Sequence, residues 1–210
     1  ASASSVSTSG EVLGRLCLLL RTLSSHNPRN KLRIAEAGGY EAIVAAMRGH
    51  ANDLGVQETG CEALWIISVP AENKPRISAA GGIEAIVAAM GAFGDSPEVQ
   101  YFGCAALQNI ADNDANQVTV AARRGIEAIV RALGRHRGSD KVQLYGCAAL
   151  QNLSANSDNK RRIAALGGLE AVVGTMQLFK SNPKIQAYAC ATLRNLTAKG
   201  QNRANVCLLE

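Results

Sequence analysis

The chain has 210 residues, of which 47% are hydrophobic and 19% charged, so it can bury a core and is not a disordered tail. Its 5 Pro and 4% aromatic residues argue against a linker, a collagen-like chain and a multi-stranded β-sandwich. The net charge of +5 hides a gradient, because residues 1–115 hold 8 Lys/Arg against 12 Asp/Glu whereas residues 116–209 hold 14 against 4.

The chain opens on a serine-rich stretch, ASASSVSTSG, that offers little to pack. We expect residues 1–10 to be a disordered or vector-derived linker, since they lack the basic and apolar regions of a secretory signal. No run of about 18 apolar residues follows anywhere, so no transmembrane helix is expected. Because the chain starts without Met and stops inside a repeating pattern, it reads as a piece of a longer protein.

An internal repeat of 43 residues dominates the rest of the chain. It predicts four full repeats over residues 30–72, 73–115, 116–158 and 159–201, a partial repeat over 11–29 and a truncated start of a further repeat over 202–210, all in one continuous domain. The recurring residues are Asn30, Asn73, Asn116, Asn159 and Asn202; Gly39, Gly82, Gly125 and Gly168; Glu41, Glu84, Glu127 and Glu170; Gln57, Gln100, Gln143 and Gln186; and Cys61, Cys104, Cys147 and Cys190.

One repeat reads as three helices. In residues 73–115 we predict helices over Asn73 to Ala80, Ile83 to Met90 and Glu98 to Ala111, with Asn73 as an N-cap of the first. Gly81 and Gly82 end the first helix, because glycine supplies a positive φ. In the next repeat Arg124 stands at the first of these two positions, so we expect a distorted corner there. A helical unit of this size cannot bury its apolar face alone, which predicts an all-α solenoid.

The repeat resembles the armadillo repeat of importin-alpha and beta-catenin. The resemblance lies in Asn-x-x-x-[IV]-x-x-x-Gly-Gly-[IL]-Glu-Ala-[IV]-Val followed by [VI]-Gln-x-x-Gly-Cys-x-Ala-Leu-x-Asn-[IL]. It covers nearly the whole chain after Gly10, and it implies a right-handed α-solenoid of three-helix repeats that binds other proteins.

The cysteines predict free thiols rather than disulfides. Five of the six share one repeat position, which places adjacent copies about one helix spacing apart, beyond the ~7 Å that a disulfide allows between Cα atoms. We expect them to be buried as small apolar side chains, and the protein to lie in a reducing compartment, cytoplasmic or nuclear.

Catalytic motifs are absent from the sequence, which contains no P-loop, no nucleophile elbow and no Cys-x-x-Cys. The three histidines, His26, His50 and His136, fall in or near loops of different repeats, where solvated side chains are expected. The repeated Glu84 type of residue sits at a helix start, where the helix dipole favours an acid. We therefore expect no enzyme, no metal and no cofactor.

The third helix of a repeat predicts the binding surface. At about 100° per residue, one face of the helix in residues 98–111 is the core. That core face consists of Val99, Gly103, Ala106, Leu107 and Ile110. Phe102, Ala105 and Asn109 form a second stripe, in which an aromatic residue and an Asn recur at the repeat spacing.

The resemblance implies that Asn109, Asn152 and Asn195 grip the backbone of an extended peptide in a concave groove, since an amide offers both donors and an acceptor. The alternative is an Asn that caps or braces the neighbouring helix. Importin-alpha has a Trp at the position of Ala105, and its absence here argues against a receptor for nuclear localisation signals. For Trp65, packing on the neighbouring repeat is the alternative to ligand contact. The candidate peptide-binding residues are Trp65, Phe102, Gln108, Asn109, Tyr145, Gln151, Asn152, Tyr188, Arg194 and Asn195.

The sequence therefore predicts a non-enzymatic scaffold that binds an extended segment of a partner protein along the third helices. A first alternative is an electrostatic binder of an acidic partner or, less favoured, of nucleic acid, through bases on first and second helices or their loops. These bases are Arg123, Arg124, Arg131, Arg135, Arg137, Lys160, Arg161, Arg162, Lys180 and Lys184. A second alternative is an architectural segment that stacks or self-associates through uncapped ends, and no membrane partner is expected.

Overall fold

The computed structural model describes residue 22 and residues 27–198, and this range contains twelve helices and no strand. The predictions for residues 1–10, for most of the partial repeat 11–29 and for residues 202–210 lie outside it, as do Cys17, His26 and Cys207. The helices are α1 (Pro28–Glu36), α2 (Gly39–Gly49), α3 (Leu54–Ile67), α4 (Asn73–Ala79), α5 (Gly82–Ala92), α6 (Pro97–Ile110), α7 (Asp114–Ala122), α8 (Gly125–Arg135), α9 (Asp140–Leu153), α10 (Ser157–Ala165), α11 (Gly168–Leu178) and α12 (Pro183–Thr197).

The helices come in four triplets, as the three-helix reading of the repeat predicts. In residues 73–115 the predicted helices correspond to α4, α5 and α6, with ends that differ by one or two residues. The all-α prediction is confirmed. None of the helices in the described range is long and apolar enough to cross a membrane.

The chain divides into two compact units, an N-terminal unit that ends at Ile110 and a C-terminal unit that begins at Ala111. In the N-terminal unit the third helices α3 and α6 pack side by side, and the second helices α2 and α5 are neighbours. In the C-terminal unit α9 packs beside α12 in the same way, and α8 is the neighbour of α11. The described residues of each unit therefore contain one pair of adjacent third helices.

The two glycines between the first and second helices have different physical reasons. Gly81 has a φ of 82°, in the left-handed region that other residues avoid. Gly82 is needed for space, because a Cβ on it would lie 2.9 Å from the backbone oxygen of Ile77. The sequence predicts only the first of these two reasons.

Arg124 occupies the position of the first glycine without distorting the corner. Its φ is 64°, and its N–H donates to the Ala121 oxygen at 3.1 Å, just as the Gly81 N–H donates to the Ser78 oxygen at 3.1 Å. The expectation of a distorted corner is wrong. The backbone keeps its path, and the arginine adopts a conformation that is unfavourable for a residue with a Cβ.

The prediction that Asn73 is an N-cap is also wrong. Asn73 is the first residue of α4, is buried, and donates its Nδ2 to the Ile67 oxygen at 2.7 Å and to the Lys31 oxygen at 3.5 Å. The N-caps of α7 and α10 are instead Asn113 and Asn156, three residues before the repeated Asn. The repeated Asn therefore braces two backbone segments. It lies within the first helix rather than at its N-cap, and its side chain donates to carbonyl groups of preceding segments.

The repeated glutamines fasten each third helix to the end of the second helix before it. Gln57 donates its Nε2 to the oxygens of Met47 and His50 at 2.8 and 2.9 Å. The same pair of bonds recurs at Gln100, Gln143 and Gln186. Because the amide donates to two carbonyls at the end of the second helix, where intrahelical donors run out, its recurrence is structural.

The core face of the third helix is buried as predicted, at Val99, Gly103, Ala106, Leu107 and Ile110. Ala105, which the helical wheel places on the second stripe, is also wholly buried.

All four described cysteines are free thiols, as predicted, and the prediction of burial holds for three of them. Cys61, Cys104 and Cys147 are free and buried, whereas Cys190 is free but exposed. Burial raises the pKa of the Cys61 thiol to about 12, with a contribution from the Glu58 charge, and burial also raises the pKa of Cys147 to about 12. Cys190 departs from the prediction because α12 is the last helix of the described range, and no further third helix there covers this position.

Candidate binding surface on the third helices

All ten predicted site residues lie on third helices, and none is fully buried. In the N-terminal unit, α3 and α6 bring together Trp65, Phe102, Gln108 and Asn109. In the C-terminal unit, α9 and α12 carry Tyr145, Gln151, Asn152, Tyr188, Arg194 and Asn195. Tyr188 and Arg194 are exposed, and the others are partly exposed.

Asn109 braces the neighbouring third helix. Its Nδ2 donates to the Trp65 oxygen at 3.3 Å and to the Ser68 Oγ at 3.1 Å. The buried Ser68 hydroxyl in turn donates to the Trp65 oxygen at 2.8 Å. The amide is thus held against the C-terminal end of α3, where backbone carbonyls need donors.

Asn195 makes the same contacts in the C-terminal unit. Its Nδ2 donates to the Gln151 oxygen at 3.2 Å and to the Ser154 Oγ at 3.1 Å, and the Ser154 hydroxyl donates to the Gln151 oxygen at 2.8 Å. Within the described range, the Oδ1 atoms of Asn109 and Asn195 accept no hydrogen bond. Each amide therefore uses its donors inside the protein and has its acceptor left for another molecule.

Three aromatic rings form a cluster on the surface of α3 and α6. The ring centroid of Trp65 lies 5.7 Å from that of Tyr101 and 5.9 Å from that of Phe102, and the last two are 4.4 Å apart. All three rings are partly exposed. Trp65 thus packs on the next repeat, which is the alternative that the sequence left open, and still reaches the surface.

Tyr101 is a surface aromatic residue that the sequence analysis missed. Its position is occupied by Glu58, Leu144 and Ala187 in the other repeats, so it belongs to no recurring series. The sequence feature that could have identified Tyr101 is its position directly before Phe102, one residue outside the predicted stripe of Phe102, Ala105 and Asn109.

The two described third helices of the N-terminal unit, α3 and α6, carry only acidic charge. Glu58, Glu62 and Glu98 lie on α3 and α6, and neither helix contains Lys or Arg. Glu58 accepts a hydrogen bond from the Ser96 hydroxyl at 2.9 Å, at the start of α6. Glu62 is partly exposed and has no hydrogen-bond or ion-pair partner among the described residues.

The third helices of the C-terminal unit are mainly basic. Lys141, Lys184 and Arg194 are exposed on α9 and α12, against one acid, Asp140. The helices are joined by the buried Thr192, whose hydroxyl donates to the Cys147 oxygen at 3.1 Å. Lys184 lies in the first turn of the third helix α12, which corrects its predicted place on a first or second helix or one of their loops.

The other bases of the C-terminal unit lie, as predicted, on first and second helices or the turns beside them. Those that are exposed are Arg123, Arg124, Arg131, Arg135, Arg137, Arg161 and Lys180. Arg162 is partly exposed and pairs with Glu127, with its Nη2 2.5 Å from the carboxylate Oε1. Part of this charge is therefore neutralised between repeats.

Cavities occur between second helices. One of about 290 Å³ is lined by residues of α2 and α5 such as Arg48 and Ala88, and one of about 320 Å³ is lined by residues of α8 and α11 such as Val130 and Gly174. They occupy related positions in the repeat, which identifies them as grooves of the packing. No group of three or more His, Cys, Asp or Glu that could hold a metal ion occurs in residues 27–198.

Comparison with known families finds one match. Residues 82–206, more than half of the chain, match the model of the LRRK2 ARM repeat. No curated protein sequence matches the chain significantly.

Solved structures with the same fold include designed repeat proteins. A crystal structure of an engineered protein is 27% identical with a TM-score of 0.73, and the match covers 86% of this chain but only 43% of that one, so this chain spans less than half of its length. A designed armadillo repeat protein in complex with the peptide (KR)4 is 18% identical with a TM-score of 0.78. This match covers 100% of this chain and 87% of that one. Another designed armadillo repeat protein is 19% identical with a TM-score of 0.64, over 90% of this chain and 99% of that one. The similarity to the two designed armadillo proteins shows an armadillo α-solenoid fold.

Proposed function

This chain belongs to the family of the LRRK2 ARM repeat, and from that membership we propose that it is a non-enzymatic scaffold for protein binding. The armadillo fold is commonly used for binding partners, because a solenoid offers extended surfaces. In this proposal the third helices hold an extended segment of a partner protein. The bound segment is recognised mainly through its backbone N–H groups.

The observation that carries this proposal is the pair of braced amides. Asn109 and Asn195 are each held by two hydrogen bonds at the same position of a third helix. A side chain that is already ordered loses little conformational entropy when a ligand binds. Because the donors are used internally, each amide presents an Oδ1 that suits a peptide N–H. This narrows the predicted role of these residues from donor and acceptor to acceptor.

The designed armadillo repeat protein with the bound peptide (KR)4 supports this use of the fold. The remaining predicted site residues would line the same surface and contact side chains of the segment. Gln108 and Gln151 precede the Asn positions and Tyr145 and Tyr188 lie two turns earlier, so they would read side chains rather than backbone. The buried free thiols favour a reducing compartment, cytoplasmic or nuclear.

The test begins with peptides selected from an unbiased library of linear peptides on the full chain. Their dissociation constants are then measured for the wild type and for Asn109→Ala, Asn195→Ala and the matching Asp variants. The Ala variants should raise Kd about 3–10-fold, the cost of one lost hydrogen bond. The Asp variants keep an acceptor oxygen but lose the Nδ2 donors that brace it, so they should lose less affinity than the Ala variants.

A matched control is Val118→Ala, at a residue that is 55% exposed on the first helix α7. It should leave the affinity unchanged. Equal losses in the Ala and Asp variants would point to a purely structural role of the amides and would contradict the proposed acceptor, and a chain that selects no linear peptide would contradict the scaffold itself.

A second candidate function rests on the exposed bases of the C-terminal unit. They would attract an acidic partner or a nucleic acid by charge, with an affinity that falls steeply as salt rises. Titration of a DNA duplex and of an acidic peptide from low to high salt separates the two ligands. Absence of salt-sensitive binding to both would remove this candidate. Self-association through the ends involves residues outside the described range and stays a prediction.

A further inference from the structure

The aromatic face of the N-terminal unit is formed by Trp65, Tyr101 and Phe102. With centroids 4.4 to 5.9 Å apart, the rings touch one another and leave no cage between them. The exposed parts of the three rings instead form one surface with a negative π potential at the ring faces. Such a surface favours a flat group that stacks on it over a compact group that needs enclosure.

The charges on the two described helices that carry this face, α3 and α6, are all of one sign. Glu58, Glu62 and Trp65 follow each other at four and three residues on α3, so they share one side of the helix. Glu62 has no partner among the described residues, and no Lys or Arg lies on α3 or α6 to neutralise it. Asn109 on α6, which is braced against the C-terminal end of α3, adds a further acceptor oxygen.

Glu58, Glu62 and Asn109 thus present acceptor oxygens to a ligand, and the three rings present π faces. A ligand that suits it must supply donors and positive charge. A phosphate or an acidic segment would meet Glu58 and Glu62, and a purely apolar segment would cover a carboxylate without pairing it, which is costly.

We propose that the aromatic face of Trp65, Tyr101 and Phe102, together with Glu62, binds an arginine side chain of a basic, extended segment in a partner protein. The inference rests on the proposed peptide-binding function and names the chemistry of the partner at this place. Arginine fits better than lysine, because its planar guanidinium stacks on aromatic rings, is weakly hydrated and donates to a carboxylate at the same time. The bound segment lies across α3 and α6, with Asn109 accepting a backbone N–H beside the arginine.

The chain contains a built-in reporter for the test, since Trp65 is its only Trp. A synthetic peptide of four Arg-Ser repeats, without aromatic residues, is titrated into the full chain while the Trp fluorescence is followed. The matched peptides replace every Arg by citrulline, which has the same shape without the charge, by Lys, or by Glu. We expect the Arg peptide to change the fluorescence and to bind best, the Lys peptide to bind less tightly, and the citrulline and Glu peptides to bind least.

Two variants and a control locate the site. Glu62→Gln should weaken the Arg peptide about 2–5-fold, as expected for an exposed charge pair. Tyr101→Leu should weaken it about 2–30-fold, the range of a cation–π contact. Glu41→Gln, at an exposed acid on the second helix α2, should have no effect beyond that of the small change in net charge.

The outcomes separate this inference from the function on which it rests. If the library selects peptides that depend on Asn109 and Asn195 but Arg and citrulline peptides bind equally, the scaffold stands and the arginine site is refuted. Unchanged binding of the Arg peptide to both Glu62→Gln and Tyr101→Leu also refutes it. If no linear peptide of any kind binds, the scaffold and the arginine site fail together.

Discussion

The two units share a framework but differ in the surface that it carries. In the N-terminal unit, the adjacent third helices α3 and α6 bear three clustered aromatic rings and only acidic charges. In the C-terminal unit, the equivalent helices bear two tyrosines and mostly basic charges. Yet Asn109 and Asn195 make the same hydrogen bonds, to a backbone oxygen and a serine hydroxyl of the preceding third helix.

The difference teaches that repetition and recognition are carried by different positions. The positions that recur, such as Gln100 and Gly82, hold helices together within the repeat. The positions that vary, such as Tyr101 and Glu62, decide the chemistry of the exposed surface. The net charge of the chain averages over both units, so it describes neither surface.

The largest effect on stability is expected in both units, at the second glycine between the first and second helices. A Cβ on Gly82 would lie 2.9 Å from the Ile77 oxygen, and one on Gly168 would lie 2.8 Å from the Ile163 oxygen. Because the clash is with backbone, Gly82→Ala and Gly168→Ala should each lower the free energy of unfolding by about 2–3 kcal/mol, measured by urea denaturation.

The matched controls for these substitutions are Gly91→Ala and Gly174→Ala, in the helices that the corner glycines begin. No heavy atom lies within 4 Å of a Cβ at either position, so neither should destabilise the protein. A loss at Gly82 without a loss at Gly168 would break the claim of a shared framework.

The braced amides should have the next largest effect. Asn109→Ala and Asn195→Ala leave the oxygens of Trp65 and Gln151 with one donor fewer, which should cost about 1–2 kcal/mol in each unit. Urea denaturation of the two variants and of the double variant measures this, and the losses should add. A loss in the free energy of unfolding that occurs in only one unit would show that the same hydrogen bonds contribute unequally to the stability of the two units.

Buried thiols predict a matching pH dependence in the two units. The pKa of Cys61 and that of Cys147 are each raised from 9.0 to about 12, so the unfolded chain ionises first. The stabilising effect of each buried thiol is full below about pH 9 and is lost as the pH rises towards 12. At pH 10, each thiol should reduce the free energy of unfolding by about 1.4 kcal/mol relative to neutral pH.

The measurement compares the wild type with Cys61→Ala and Cys147→Ala at neutral pH and at pH 10. Each variant should lose less stability than the wild type on going to alkaline pH, by the amount assigned to its thiol. A loss as large as that of the wild type in either variant would argue against the role of that thiol.

The smallest effect concerns the one corner where the C-terminal unit departs from its neighbours. Arg124 has a φ of 64°, where Gly38, Gly81 and Gly167 stand at the other corners. Arg124→Gly should raise the free energy of unfolding by about 0.5–1 kcal/mol, since glycine adopts this backbone without a Cβ penalty, offset in part by its greater freedom in the unfolded chain. At the preceding residue φ is −91°, so Arg123→Gly should bring no gain, and a gain there would argue against the backbone explanation.

The amino-acid sequence by itself determined the period, the helix triplets, the core face of the third helix and the burial of Cys61. These features follow from spacing, because residues that contact the same neighbours in every repeat must recur. The sequence also placed Asn109 and Asn195 on third-helix positions outside the core, which the structure leaves partly exposed. It could not tell how their donors are used, since that depends on a carbonyl and a hydroxyl more than 40 residues earlier in the chain.

Only the tertiary structure decided the features that occur once. Tyr101 joins Trp65 and Phe102 across two helices, and no periodic signal marks it. Likewise, Asn73 has the residue type of an N-cap, but its place inside α4 makes it a brace. The physical reason is that a contact between distant segments depends on packing geometry, whereas a repeated pattern reports only what all repeats have in common.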